Sequence, residues 1–216
     1  RSFARTSPRA PPALQSSVAT VQHRRFRGTP HCRILGRMAD PVRRRGTYED
    51  VLRAPEFLLA EVADCEMYLR PRPTIDAARA RTRLGVLLGT AYDLGRGGPG
   101  GWVLLDEPEL HLGLRPDVVV PDLAGWRRAR MPKLPSTPHL TLAPDWVCQV
   151  VSADSANFDR GTKQRVYARE GVELAWFVDP ARQLLEVVRL GVGDEVAIAT
   201  FRENEVVCAE PFESIE

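Results

Sequence analysis

Only one stretch of this chain keeps a helical hydrophobic period for long. From Thr74 onward, Ile75, Ala78, Leu84, Leu87, Leu88, Ala91 and Leu94 recur near the spacing of an amphipathic helix. Thr74 is placed to cap that helix, and the run GRGGPGG at 95–101 ends it. Most of the remaining apolar sequence comes in short runs between turn-forming residues, which is how strands read. Residues 57–70 read as two strands around a turn at Asp64-Cys65. Further strands are expected at 102–105, 109–112, 117–121, 145–151, 174–179, 183–190 and 195–201. Two shorter helices complete the pattern: one opens at Thr47-Tyr48-Glu49-Asp50, a capping-box sequence, and is closed off by Pro55; the other covers about 160–170. Helices interspersed in a mixed strand series imply α/β or α+β layers around a central sheet.

A length of 216 residues bounds the chain to one sizeable domain, two at most. No apolar run approaches the roughly 20 residues that span a bilayer, so no transmembrane helix is expected. Cys32, Cys65, Cys148 and Cys208 are scattered without a CxxC pair. That favours reduced thiols in a cytoplasm over a zinc site or a disulfide framework. His23, His31, His111 and His139 show no metal-ligand spacing and read as structural or surface residues.

The net charge of +2 misleads about partners. Residues 1–37 hold eight arginines and no acid, without hydrophobic periodicity, and the first methionine is Met38. Without them 22 basic residues face 28 acidic ones, a balance of −6. Residues 1–37 therefore read as a disordered or non-native extension, with a transit peptide or a basic nucleic-acid arm as alternatives. Residues 38–216 read as the folded domain.

Several features invite more than they support. GRGGPGG lacks the GK[ST] of a phosphate loop and follows a helix instead of opening one. The proline-rich 131–144 reads as a surface connection. Trp102, Trp126, Trp146 and Trp176 lie in or beside apolar strands, where core packing outweighs base stacking.

Asp117, in RPDVVVPD at 115–122, is different: an acid at the mouth of a buried strand is expensive to desolvate. It is either a ligand or a strand-end residue bonded to nearby backbone. Together with PDWVCQVVSADSANFDRGTKQRVYAREGVELAWFVDP at 144–180, this stretch resembles the Uma family of putative restriction endonucleases, within the PD-(D/E)XK nuclease superfamily. The matching elements are Pro116-Asp117, the strand ending at Ser152, Asp159, Lys163, Tyr167, Gly171-Val172 and Trp176 to Pro180; AEVADCEMYL matches an early hairpin, with Cys65 where a glycine is usual.

The resemblance implies a restriction-endonuclease-like central mixed sheet flanked by helices, DNA as partner, a homodimer as a further option, and magnesium or manganese as cofactor. It places Asp117, Gln149 and Lys163 as catalytic residues, Asp117 and Gln149 as metal ligands, and Asp159 and Ser152 in support. The chemistry is coherent: a cation held by carboxylates lowers the pKa of the attacking water and neutralises the phosphate, and a lysine orients that water. Lys163 is one of only two lysines among 30 basic residues. Gln149 departs from the pattern, since the family has a glutamate there and an amide holds a hard dication poorly. Asp154 is a nearby acid that would partly compensate. Two readings follow. One is a metal-dependent DNA endonuclease weakened by Gln149; the other is a catalytically inactive relative that binds nucleic acid or protein, with Arg127, Arg128 and Arg130 as a basic patch.

Overall fold

The computed structural model describes residues 44–114, 117–191 and 196–213. The expected extension at 1–37, Met38, Arg115 and Pro116 lie outside the described residues. A short strand β1 (Arg44–Arg45) leads into helix α1 (Tyr48–Leu52). The Thr47 side chain caps α1, and the Asp50 carboxylate accepts from the Thr47 N–H at 3.1 Å, so the capping box forms as its sequence predicts.

Strands β2 (Leu58–Ala63) and β3 (Glu66–Pro71) form the expected hairpin. Its two turn residues, Asp64 and Cys65, sit at φ of 51° and 62°. Both lie in the left-handed region, where a two-residue hairpin turn needs them. Helix α2 (Ile75–Leu88) is capped by Thr74 and continues as a π-helical turn over Gly89–Asp93. The following glycine run then breaks it: Gly98 lies so close to Ala91 that an added Cβ would come within 2.6 Å of the Ala91 Cβ. A glycine there is a packing requirement and needs no ligand.

The remaining strands are β4 (Trp102–Asp106), β5 (Leu110–Leu112), β6 (Asp117–Val119), β7 (Leu123–Arg127) and β8 (Trp146–Val150). After a π-helical turn at Phe158–Lys163 and helix α3 (Gln164–Arg169) come β9 (Leu174–Asp179), β10 (Leu184–Arg189) and β11 (Val196–Arg202). Among the described residues they form two sheets, one of which is the expected mixed sheet. The five-stranded sheet runs β1-β3-β2-β6-β5 and is antiparallel; the six-stranded sheet runs β11-β10-β9-β8-β7-β4 and is mixed, with β8 and β9 parallel. The shared motif leads one to expect the strands at 117–121 and 145–151 side by side, with Asp117 and Gln149 on one face, but they lie in different sheets. Periodicity identifies strands but not their partners.

Strand β7 was not expected, because Gly125 interrupts its apolar run. That glycine is what lets the sheet pack. A Cβ there would meet Leu104 at 2.8 Å and the rings of Trp102 and Trp146 at 3.2 Å.

One core lies between the two sheets and includes Val119, Leu110, Trp126, Val147 and Phe177, closed by Tyr167 and Val166 of α3. A second covers the other face of the six-stranded sheet, where Trp146, Trp176, Tyr92 and Phe212 meet edge-on or tilted. All four tryptophans are core residues, as expected. In the proline-rich connection, Leu140 is anchored to β5 and Leu142 accepts from the Trp126 indole N–H at 3.0 Å.

Candidate functional site

Lys163 ends the π-helical turn that follows β8, and its side chain is fully buried. A buried ammonium requires partners on every side. Its Nζ lies 2.8 Å from Glu61 Oε1 and 3.6 Å from Asp159 Oδ1, and it donates to the Val120 carbonyl at 2.7 Å and to Gln149 Oε1 at 3.3 Å. The Gln149 amide in turn donates to the Tyr167 hydroxyl at 3.0 Å. Strands from both sheets thus meet at one lysine: Glu61 from β2 and Gln149 from β8.

Glu61 is equally buried and doubly held. Arg70 Nε donates to its Oε2 at 2.8 Å, and the Val120 N–H donates to its Oε1 at 2.8 Å. Burial alone would raise its pKa, but Arg70, Lys163 and the Val120 N–H together hold it below the usual value. Asp159 is 1% exposed and lies 3.9 Å from Arg70; neither of its oxygens accepts a hydrogen bond among the described residues.

Beside this cluster is a cavity of about 360 Å³ lined by Arg70, Asp122, Ser152, Asp154, Tyr68 and Phe158, among others. Asp122 accepts from the Val150 N–H at 2.8 Å, and burial pushes its pKa up to about 6. Ser152 and Ser155 hydrogen-bond each other across the turn that leaves β8.

Asp117 stands apart. Its Oδ1 accepts from the Asp64 N–H in the β2–β3 turn at 2.7 Å, and its Oδ2 is paired with Arg169 on α3. Val120, whose backbone meets Glu61 and Lys163, lies three residues further on, roughly 10 Å along an extended chain. The structure therefore brings Gln149, Lys163 and Asp159 together, sets Ser152 at the cavity, and ties Asp117 to the hairpin. It is Asp122, in the second Pro-Asp pair of RPDVVVPD, that faces the cavity. Glu61 lies within the matched hairpin AEVADCEMYL and Arg70 just beyond it, but that match gave neither a role. A charged residue inside an apolar strand, as in LLAEVA, was the available signal for Glu61.

The residues at this point do not fit a divalent cation. Each of the two fully buried acids already faces a fixed cation, Glu61 against Arg70 and Lys163, Asp159 against the same pair at longer range. Gln149 is neutral, with its oxygen turned to Lys163. Asp122 remains at this point, a carboxylate whose protonation is favoured below pH about 6, while Asp154 lines the cavity from an exposed position. An ammonium and a guanidinium supply the positive charge that a hard dication would otherwise bring.

The chain superposes on the crystal structure of a protein described as a putative nuclease belonging to DUF820, from Anabaena variabilis, with a TM-score of 0.62. The match covers 77% of this chain and 89% of that one at 18% identity, which shows a shared nuclease-like fold. The family is shown by sequence: the profile Uma2, described as putative restriction endonuclease, matches residues 48–216, and the chain belongs to this family. No curated protein matches it. Among the described residues no helix is long and apolar enough to cross a membrane.

Proposed function

We propose that this chain acts on nucleic-acid phosphodiesters through the cavity beside Lys163, with a hydrolytic centre left one carboxylate short by Gln149. The observation that carries this reading is the contact of Lys163 Nζ with Gln149 Oε1 at 3.3 Å and Glu61 Oε1 at 2.8 Å, next to a cavity reached by Arg70 and Asp122. In that cavity Arg70 supplies a guanidinium suited to a phosphate oxygen. Asp122, with a pKa of about 6, is ionised near neutral pH yet basic enough to take a proton from water. Missing is the strong electrostatic stabilisation of developing charge that a metal centre provides, so cleavage by the chain as it stands is slow. DNA is the partner we assign.

A second reading has its own support. The matched charges of Glu61, Asp159, Arg70 and Lys163 suit a centre that has become structural, leaving a binding module. The basic patch proposed for it is largely compensated: Arg128 pairs with Asp93 at 2.6 Å and Arg130 with Asp145 at 2.8 Å. We therefore rank it second.

The test is cleavage of supercoiled and single-stranded DNA by the full chain and its Gln149→Glu variant, with magnesium or manganese. Low cleavage by the parent and a metal-dependent gain in the variant are expected, the gain being lost when Lys163→Ala is added to a folded protein. A folded Gln149→Glu variant that cuts nothing would leave the binding-module reading in place.

A further inference from the structure

Away from Lys163, a second group of side chains gathers at β5. Residues two apart on a strand share a face, so Glu109 and His111 project together. Leu140 is laddered beside them: its N–H donates to the Glu109 carbonyl at 2.9 Å and its carbonyl accepts from the His111 N–H at 2.8 Å. Backbone bonds thereby bring His139 alongside. The ligand atoms of Glu109, His111 and His139 all lie within 4.8 Å of one another. His111 is 8% exposed, with its Nε2 2.7 Å from Glu109 Oε1. His139 Nδ1 is buried and has no hydrogen-bond partner among the described residues. The Tyr48 ring stands edge-on to His111, with ring centroids 4.5 Å apart.

We propose that Glu109, His111 and His139 bind a divalent transition-metal ion of the zinc, cobalt or nickel kind, at a site separate from the Lys163 centre. Two imidazole nitrogens and a carboxylate oxygen match the preferences of these ions and suit magnesium poorly. Three protein ligands leave a fourth tetrahedral position for water. The donors are placed by backbone hydrogen bonds, so little chain entropy is lost on loading. An ion also satisfies the buried His139 Nδ1, which otherwise costs free energy as an orphan.

The two imidazoles now stack at 3.9 Å with 9° between their planes, which sets their lone pairs in separate, nearly parallel planes. A shared ion requires approach in the plane of each ring, so loading turns His139 out of the stack. His139 has that freedom, since it is partly exposed on the long connection between β7 and β8. A bound ion then fastens this connection to β5.

The probe is cobalt(II), titrated into the full chain carrying His23→Ala and His31→Ala, which leaves His111 and His139 as its only histidines. Visible absorption of tetrahedral cobalt is expected to saturate at one equivalent, to be displaced by zinc and to be indifferent to excess magnesium. His139→Ala should abolish it. Gln149→Glu should leave it unchanged. Imidazole proton signals, read without any change at the site, give a second readout: both histidines should shift on addition of one equivalent of zinc. Absence of tetrahedral bands, bands that persist in His139→Ala, or unmoved imidazole signals would overturn the site.

Discussion

Replacing Lys163 with methionine keeps most of the side-chain volume and removes only the ammonium. The structure says what is then left behind. Glu61, fully buried, keeps Arg70 and the Val120 N–H but loses a cation at 2.8 Å. Asp159, with no hydrogen bond to either oxygen among the described residues, keeps Arg70 at 3.9 Å. The Val120 carbonyl and Gln149 Oε1 lose their donor. Removing one partner of a buried ion pair typically costs about 3–5 kcal/mol, because an uncompensated charge remains. At roughly 2–4 °C per kcal/mol for a chain of this size, Tm should fall by about 6–20 °C. Urea unfolding should give the free energy directly, with an unchanged m-value if the folded state stays intact. The double variant Glu61→Gln/Lys163→Met should cost less than the sum of its singles, with a coupling of roughly 0.5–3 kcal/mol. A loss below about 1 kcal/mol for Lys163→Met, together with additive singles, would refute the idea that this lysine neutralises a buried acidic cluster.

Three further outcomes follow from named contacts. The folded pKa of Asp122, about 6, exceeds its unfolded value of about 3.9. The folded state therefore holds the proton more tightly between these values, stability falls as pH rises from about 4 to 6, and the cost stays constant above. Asp122→Asn should accordingly stabilise by about 2–3 kcal/mol at pH 7 and by nothing near pH 4, in melts across that range. Asp117→Ala should lose about 1.5–3 kcal/mol by freeing the Asp64 N–H and Arg169; loss of cleavage in a folded Gln149→Glu/Asp117→Ala chain would return Asp117 to the reaction centre. Cys65, at φ 62°, occupies a conformation that costs a non-glycine residue about 1 kcal/mol, so Cys65→Gly should raise urea stability by that amount; an unchanged midpoint would show the turn to be unstrained.

Local elements were legible in the sequence because they are encoded by local signals. Thr47 and Thr74 cap the helices they were expected to open, and the hairpin turns at Asp64-Cys65. What could not be read was pairing and tertiary convergence. Strand β7 hides behind Gly125, whose missing Cβ is explained only by the tryptophans packed against it. The motif named Gln149 and Lys163, 14 residues apart and in contact, together with Asp117, which is tied to the hairpin turn, whereas Asp122 five residues further along faces the cavity. Glu61 and Arg70 belong to the opposite sheet, where the matched hairpin marked the strands and not the charges they carry. His111 and His139 were set aside for lack of spacing, since a backbone ladder between β5 and a long connection leaves no sequence signature.

Calorimetric titration of magnesium into the parent chain and into Gln149→Glu tests the central claim most directly, because the claim is about one missing charge. Magnesium is the right ion, since the histidine-containing group disfavours it. We expect no magnesium binding by the parent and binding of one ion per chain by Gln149→Glu, abolished when Asp122→Asn is added. Equal magnesium binding by the parent and the variant would contradict the account, since the centre would then hold its cation without the carboxylate that Gln149 replaces.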